Sequence, residues 1–212
     1  MQQAGVRAVV ITGNGPVFCA GMDLKAYQRG ELPILTGRGF GGLTRATIRK
    51  PLIAAVEGWA VGGGFELALA CDLIVAANDA KFGFPEVTRG LVASEGGLIR
   101  LPHHLPYHVA MGLFLTGAPL EAAVANQYGL VSQLTASGQA LTVAQALAVK
   151  VAANAPLALD AVKAVVRGVQ GLNDDAAFLR QDELIASVTS SEDAREGALA
   201  FAQKRPPVWK GR

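Results

Sequence analysis

The stretch EGWAVGGGFELALACD, residues 57–72, decides the fold. Three consecutive glycines, Gly62, Gly63 and Gly64, interrupt an apolar run, and a lone acid, Glu66, follows two positions later. A glycine inside a helix or strand costs about 0.5–1 kcal/mol relative to alanine, so three together imply a backbone requirement. The apolar run before them reads as a buried strand and GGFELALAC as a turn opening a short helix. Amides at a strand-to-helix turn lack intrahelical partners and lie at the positive end of the helix dipole. The triplet therefore suits a phosphate cradle, half of an oxyanion hole, or close packing of strand on helix. GGGFE does not match the GxGxxG of a dinucleotide site.

Working outward, VRAVVITG (6–13), PLIAAVEGWAV (51–61), DLIVAAN (72–78) and AKFGFP (80–85) read as strands. Residues 14–30 read as a turn-rich loop leading to a short helix. GRGFGGLTRATIRK (37–50) reads as a glycine-rich start followed by a helix that Pro51 ends. Alternation of strand and helix points to a layered α/β fold with buried strands. The later chain is helical: segments within 98–110, 120–128 and 142–155, a helix opened by Pro156, another over DAAFLRQDELIASVTS, and a last one capped by Ser191. In that last helix Glu192, Asp193 and Glu196 near the start and Lys204 and Arg205 at the end follow the helix dipole. The expected division is an α/β core over 1–139 and a helical region over 140–212.

With 51% hydrophobic and 17% charged residues the composition is that of a globular chain. A net charge of +2 without a dense basic block gives no indication of nucleic acid as a partner. Cys19 and Cys71 form no CxxC or Cys/His cluster and read as reduced thiols of a cytoplasmic protein. MQQAGVRAVVITG does not read as a secretory signal, and the uncharged run 122–149 is too broken by polar residues for a membrane span.

Two carboxylates stand out for chemistry. Glu66 lies in the first turn of the predicted helix, and Glu86 follows Pro85 at a strand end, twenty positions on with one strand between. That topology can bring both to one end of a sheet, where paired carboxyls beside backbone donors suit acid–base work on a carbonyl compound. Their plainer readings are a solvated or dipole-pairing helix residue and a surface-loop acid. FCAGMDL (18–24) is a second glycine turn after a strand, able to supply further amides. Asp23 and Asp72 read as cap or turn residues. His103, His104 and His108 cluster, with His104 and His108 at i, i+4, but Pro106 intervenes and no acid follows closely, which argues against a metal site; Ser94 lies in no GxSxG.

Taken together, VRAVVITGNGPVFCAGMDL, KPLIAAVEGWAVGGGFELALACDLIVAA, AKFGFPEVTRGLV and SEDAREGALAFAQKRPPVWKGR resemble the crotonase superfamily, the enoyl-CoA hydratase/isomerase family, from Val6 to Arg212. The resemblance implies a crotonase-like layered β-β-α spiral core with a C-terminal helical trimerisation region, and a homotrimer or dimer of trimers. It implies an acyl-CoA thioester as substrate, no cofactor, and an oxyanion hole made by the amides of Met22 and Gly63. Both family glutamate positions are occupied, by Glu66 and Glu86, which implies hydration of a trans-2-enoyl-CoA. Glu66 would activate the water and Glu86 would protonate C2. The resemblance also implies CoA contacts from Ala20, Gly21, Asp23, Leu24 and Lys25, substrate contacts from Gly62 and Gly64, and closure of the site by Phe201 and Lys204 of the last helix.

Two departures from the family pattern matter. Members carry roughly fifty further residues ahead of this start, about a quarter of a domain, which supply the first strands of the sheet and part of the CoA site. After Gly90 the run LVASEGG replaces the usual proline and small residues, with Glu95 read either as a solvated loop acid or as a group that reads a polar acyl chain. The competing functions are another reaction of the family (isomerase, carnitine-type racemase or hydratase, hydrolase) and a shortened CoA-ester-binding protein without turnover.

Overall fold

A computed structural model describes residues 5–212. Residues 1–4, part of the segment read above for a secretory signal, lie outside the described residues. In chain order the elements are β1 (Val9–Thr12), α1 (Leu24–Gln28), β2 (Ile34–Leu35), β3 (Gly39–Phe40), β4 (Leu52–Val56), β5 (Trp59–Val61), α2 (Gly63–Ala70), β6 (Leu73–Ala77) and β7 (Lys81–Gly83). A 3-10 turn over Pro85–Arg89 follows, then α3 (Gly97–Arg100), α4 (Tyr107–Thr116), β8 (Leu120–Glu121), α5 (Ala122–Gln127) and β9 (Gln133–Thr135). Four helices complete the chain: α6 (Ala140–Ala152), α7 (Pro156–Gly168), α8 (Asp174–Thr189) and α9 (Glu192–Ala202).

The described chain forms two compact units, one of residues 10–47 and 52–147, the other of residues 5–9, 48–51 and 148–212. In the first, strands alternate between two sheets, one ordered β1-β4-β6-β9 and one ordered β5-β7-β8. The pairs β4–β6, β6–β9 and β5–β7 are parallel, and β7–β8 is antiparallel. Each pass lays one strand in the first sheet and the next in the second: β4 then β5, β6 then β7. This is the layered β-β-α spiral of an α/β fold. The central strands β4 and β6 of the first sheet are buried on both faces, which explains their continuous apolar runs in place of an alternating pattern.

The single strand expected over 51–61 is in fact two. Gly58 turns the chain with φ +54°, and a Cβ there would sit 2.3 Å from the carbonyl oxygen of Pro16. Glycine alone fits that corner, and it sends β5 into the second sheet. Glu57 beside it accepts hydrogen bonds from the amides of Gly138 (3.0 Å) and Ala140 (2.8 Å), satisfying donors at the start of α6.

The helix expected after residue 37 does not form. Gly39, Gly41 and Gly42 all adopt positive φ, and the segment is the tight hairpin β2–β3 followed by turns. Leu43 and Thr44 are buried by tertiary contacts that local helical periodicity does not register. Asp23 and Asp72 are structural as read. Asp23 caps α1 by accepting from the amides of Lys25 and Ala26, and Asp72 accepts from Leu52 N–H at 2.7 Å.

The core of this unit centres on Phe65, Phe82 and Phe84, all fully buried. Phe65 stacks on Phe84 with ring centroids 4.7 Å apart, and Phe84 on Phe114 at 5.3 Å. Because Phe65 lies on the first turn of α2, this packing fixes where the start of that helix sits.

In the second unit Ser191 Oγ accepts from Ala194 N–H at 2.9 Å, capping α9 as its sequence predicts. The C-terminal strap then folds back on this helix. Asp193, 3% exposed, accepts from the amides of Lys210 (2.7 Å) and Gly211 (2.9 Å), while Glu192 N–H donates to the Arg212 carbonyl (2.8 Å). Glu196, expected to serve the helix dipole, instead forms a two-point pair with Arg205 (2.6 and 2.9 Å). Asp193→Ala leaves two strap amides without their acceptor and costs about 2 kcal/mol. A fall of roughly 4–8 °C in melting temperature follows for a chain of this length. An unchanged melting temperature contradicts the anchoring role of the strap.

Candidate active site

The three glycines have three different reasons. Gly62 holds φ +56°, and its amide is consumed by the carbonyl of Gly83 at 2.9 Å. Gly64 packs against the chain at Cys19, where an added Cβ would lie 2.1 Å from the carbonyl oxygen. Gly63 begins α2 and lines a cavity of about 610 Å³. Among the described residues no acceptor takes its amide hydrogen. A Cβ on Gly63 would come 2.8 Å from the ring of Phe40.

The FCAGMDL turn meets this helix start. Gly21 has φ +85°, and a Cβ on it would stand 2.9 Å from the Val61 carbonyl and 3.3 Å from the Gly63 nitrogen. Cys19 bridges to Ala60 in parallel fashion, with Val61 N–H donating to the Cys19 carbonyl at 3.0 Å. Met22, one residue past Gly21, lines the same cavity, and its amide also has no acceptor among the described residues. Two free amides from two segments thus border one space. That arrangement can receive a developing negative charge on a carbonyl oxygen.

Glu66 and Glu86 both line this cavity. Glu66 is 3% exposed, so the solvated reading of it fails. Its Oε1 accepts from the amides of Glu95 (2.7 Å) and Gly97 (2.8 Å), while Oε2 has no partner among the described residues. Glu86 stands on the 3-10 turn opened by Pro85, with Oε1 3.2 Å from where a Cβ of Gly62 would lie. Its Oε2 is buried and accepts no hydrogen bond from the described residues. An unsatisfied buried oxygen of this kind calls for a functional account.

Burial raises the proton affinity of Glu66, against the opposing effect of the Gly97 and Glu95 amides, and the charges of Glu86 and Glu95 raise it further. Burial likewise raises that of Glu86, against its own backbone amide and Arg89. An acid with a raised folded-state pKa holds its proton more tightly folded than unfolded. Its full contribution is therefore present below the unfolded value, near 4.5, and is lost as pH rises through the folded value. Glu66→Gln removes this loss. Its melting temperature relative to wild type should climb as pH rises from about 4.5 to about 8. A pH-independent difference contradicts the buried, titrating Glu66.

Of the other residues expected at the site, Ala20, Leu24 and Gly62 line the cavity, and Gly21 and Gly64 shape its wall by close packing. Asp23 and Lys25 do not line it, and Asp23 serves as the cap of α1. Phe201, 87% exposed, and Lys204 belong to the other compact unit and do not line it either. Sequence reasoning missed Phe40, Tyr27, Leu32, Ile34, Leu91 and Val92, which supply apolar wall. Apolar residues between glycines were the available signal.

Glu95 lines the cavity and departs from the first of its sequence readings. It is 5% exposed, so it is no solvated acid, and its carboxylate is already occupied by chain donors. Arg45 grips it with Nε to Oε2 (3.1 Å) and Nη2 to Oε1 (2.8 Å), and Thr44 Oγ1 and Phe40 N–H each reach Oε2 at 3.0 Å.

Comparison with known proteins gives the family. The family model described as enoyl-CoA hydratase/isomerase matches residues 1–212. The chain is 52% identical to an enoyl-CoA hydratase, EchA1, from Mycobacterium marinum, with a TM-score of 0.96 over 100% of this chain and 83% of that one. It is 41% identical over 215 residues to the carnitinyl-CoA dehydratase of Proteus mirabilis (strain HI4320), covering 98% of this chain and 82% of the relative. The carnitinyl-CoA dehydratase of Escherichia coli (strain K12) is 43% identical over the same shares. A glycine-built pair of free amides, two glutamates on one cavity and a family match along the whole chain lead to one conclusion: this chain belongs to the enoyl-CoA hydratase/isomerase family.

Proposed function

We propose that the chain catalyses reversible addition of water across the 2,3-double bond of a trans-2-enoyl-CoA thioester. The observation that carries this reading is the placement of Glu66 and Glu86 on the cavity bordered by the free amides of Met22 and Gly63. The thioester oxygen accepts from both amides, and the enolate that forms as water attacks C3 is held there. Glu66, with Oε1 fixed by two amides and Oε2 free, orients the water and takes its proton. Glu86, whose proton affinity burial raises, delivers a proton to C2 and recovers it in the dehydration direction. The charge of Glu86 adds to the raised proton affinity of Glu66, in keeping with an active form that has one of the two carboxyls protonated. The chemistry needs no cofactor.

A second reading changes the acyl group and keeps the reaction. Relatives at 41–43% identity are carnitinyl-CoA dehydratases, which supports dehydration of a β-hydroxyacyl-CoA that bears a quaternary ammonium group. Product analysis by liquid chromatography and mass spectrometry, with crotonyl-CoA, longer 2-enoyl-CoAs and carnitinyl-CoA offered separately, tests both. Gain of one water by the enoyl thioesters supports the main reading. Loss of water from carnitinyl-CoA alone supports the second. A shifted double bond or free CoA as the product would overturn both. The reading carries with it assembly through the C-terminal helices as a homotrimer or paired trimer, which light scattering of the purified protein measures.

A further inference from the structure

The cavity is bordered on one side by a segment that pairs with neither of the two larger sheets among the described residues. This is the β2–β3 hairpin, which carries Ile34 and Phe40 on the cavity wall. Two residues per strand supply very few ladder bonds, and such a hairpin is marginal by itself. Yet Phe40 is 8% exposed, and its ring lies 2.8 Å from the position a Cβ of Gly63 would take. Something outside the hairpin must therefore hold the ring against the start of α2.

Glu95 is that group. Its Oε2 receives Phe40 N–H, Thr44 Oγ1 and Arg45 Nε, and its Oε1 receives Arg45 Nη2. Arg100 adds a second tie from the same loop, with Nη2 on the Thr44 carbonyl (2.6 Å) and Nη1 on the Glu95 carbonyl (3.3 Å). Gly39 leaves the seat open, because a Cβ there would lie 2.5 Å from Glu95 Oε2 and 2.3 Å from Thr44 Oγ1. The same residue faces the other way through its backbone, where Glu95 N–H donates to Glu66 Oε1 at 2.7 Å. One residue thus ties the wall over the Gly63 amide to the carboxylate that the mechanism needs for water.

We propose that Glu95 is a positioning residue for the reaction, its carboxylate clamping the Phe40 hairpin over the Gly63 amide while its amide orients Glu66. The inference rests on the hydratase reading above and adds a group whose carboxylate is held by the chain, with three hydrogen bonds on Oε2 and one on Oε1. A buried carboxylate that accepts four charge-assisted or neutral hydrogen bonds is rigid, and rigidity here is passed to two parts of the site at once. Glu66 is faced by the charges of Glu86 and Glu95, and Glu95 is balanced by Arg45, so loss of the Glu95 charge also eases protonation-linked repulsion on Glu66.

The test compares wild type with Glu95→Gln, which keeps the shape but replaces an acceptor oxygen with a donor amide facing Phe40 N–H. A second variant, Thr44→Val, removes one hydroxyl at a residue that is 1% exposed and leaves Glu95 in place. Four quantities are read: melting temperature, kcat and KM with a 2-enoyl-CoA, and the red shift of a bound conjugated dienoyl-CoA. That shift reports how strongly the oxyanion amides polarise the thioester carbonyl. In folded Glu95→Gln, kcat falls about tenfold to a hundredfold, KM changes less than about threefold, and the red shift shrinks. Thr44→Val shows a smaller loss in the same direction. Wild-type kcat and red shift in folded Glu95→Gln overturn the proposal. Should Glu95→Gln fail to fold, an undiminished red shift in Thr44→Val overturns it instead. A wild-type protein that shifts the dienoyl-CoA without hydrating any enoyl-CoA sinks the hydratase reading, and the clamp is then judged on the shift alone.

Discussion

Glu86→Gln lowers kcat for hydration of a 2-enoyl-CoA by about 10²–10⁴-fold while the protein stays folded. The glutamine matches the shape of the acid, so packing beside Gly62 is retained. What disappears is the proton that C2 must receive. The burial that raises Glu86's proton affinity, and the absence of any hydrogen bond to its Oε2 from the described residues, are costs to the fold with no structural return. Relief of that cost should leave the melting temperature of Glu86→Gln equal to or above that of wild type, even as turnover collapses. A variant with near-normal kcat removes Glu86 from the mechanism.

Gly63→Ala and Gly64→Ala, neighbours in sequence, fail in opposite ways. At Gly63 the new methyl meets the tip of the Phe40 ring at 2.8 Å, a contact that a side chain can yield to. The protein folds, but methyl and displaced ring intrude on the amide that receives the thioester oxygen, and kcat falls about 10²–10³-fold. At Gly64 the methyl meets the backbone carbonyl of Cys19 at 2.1 Å, and a strand segment must move. That overpacking costs about 3 kcal/mol or more and lowers the melting temperature before any kinetic defect can be assigned. Thermal melts beside steady-state kinetics separate the two. Equal melting losses for both variants contradict the division of labour among the glycines.

The sequence was most legible where local pattern and fold agree. The apolar run with a glycine triplet placed α2 and its free amide correctly, Asp72 and β6 followed, and Ser191 marked the start of α9. It was least legible where a distant partner decides. The run 51–61 looks uniform because periodicity records burial and not direction, and the corner at Gly58 appears only once Pro16 lies against it. The helical pattern after Gly42 is overridden by Glu95, fifty residues away from the Arg45 that it binds. The two glutamates were visible as residue types at a suggestive spacing. Their placement on one cavity, and the burial of Glu66, depend on loops whose packing no local window contains.

Absorbance of the enoyl thioester, followed as purified protein meets crotonyl-CoA, tests the central claim most directly. The account predicts a loss of absorbance that wild type catalyses and Glu86→Gln does not. No loss with protein shown by circular dichroism to be folded, or a loss that Glu86→Gln sustains at the wild-type rate, contradicts it.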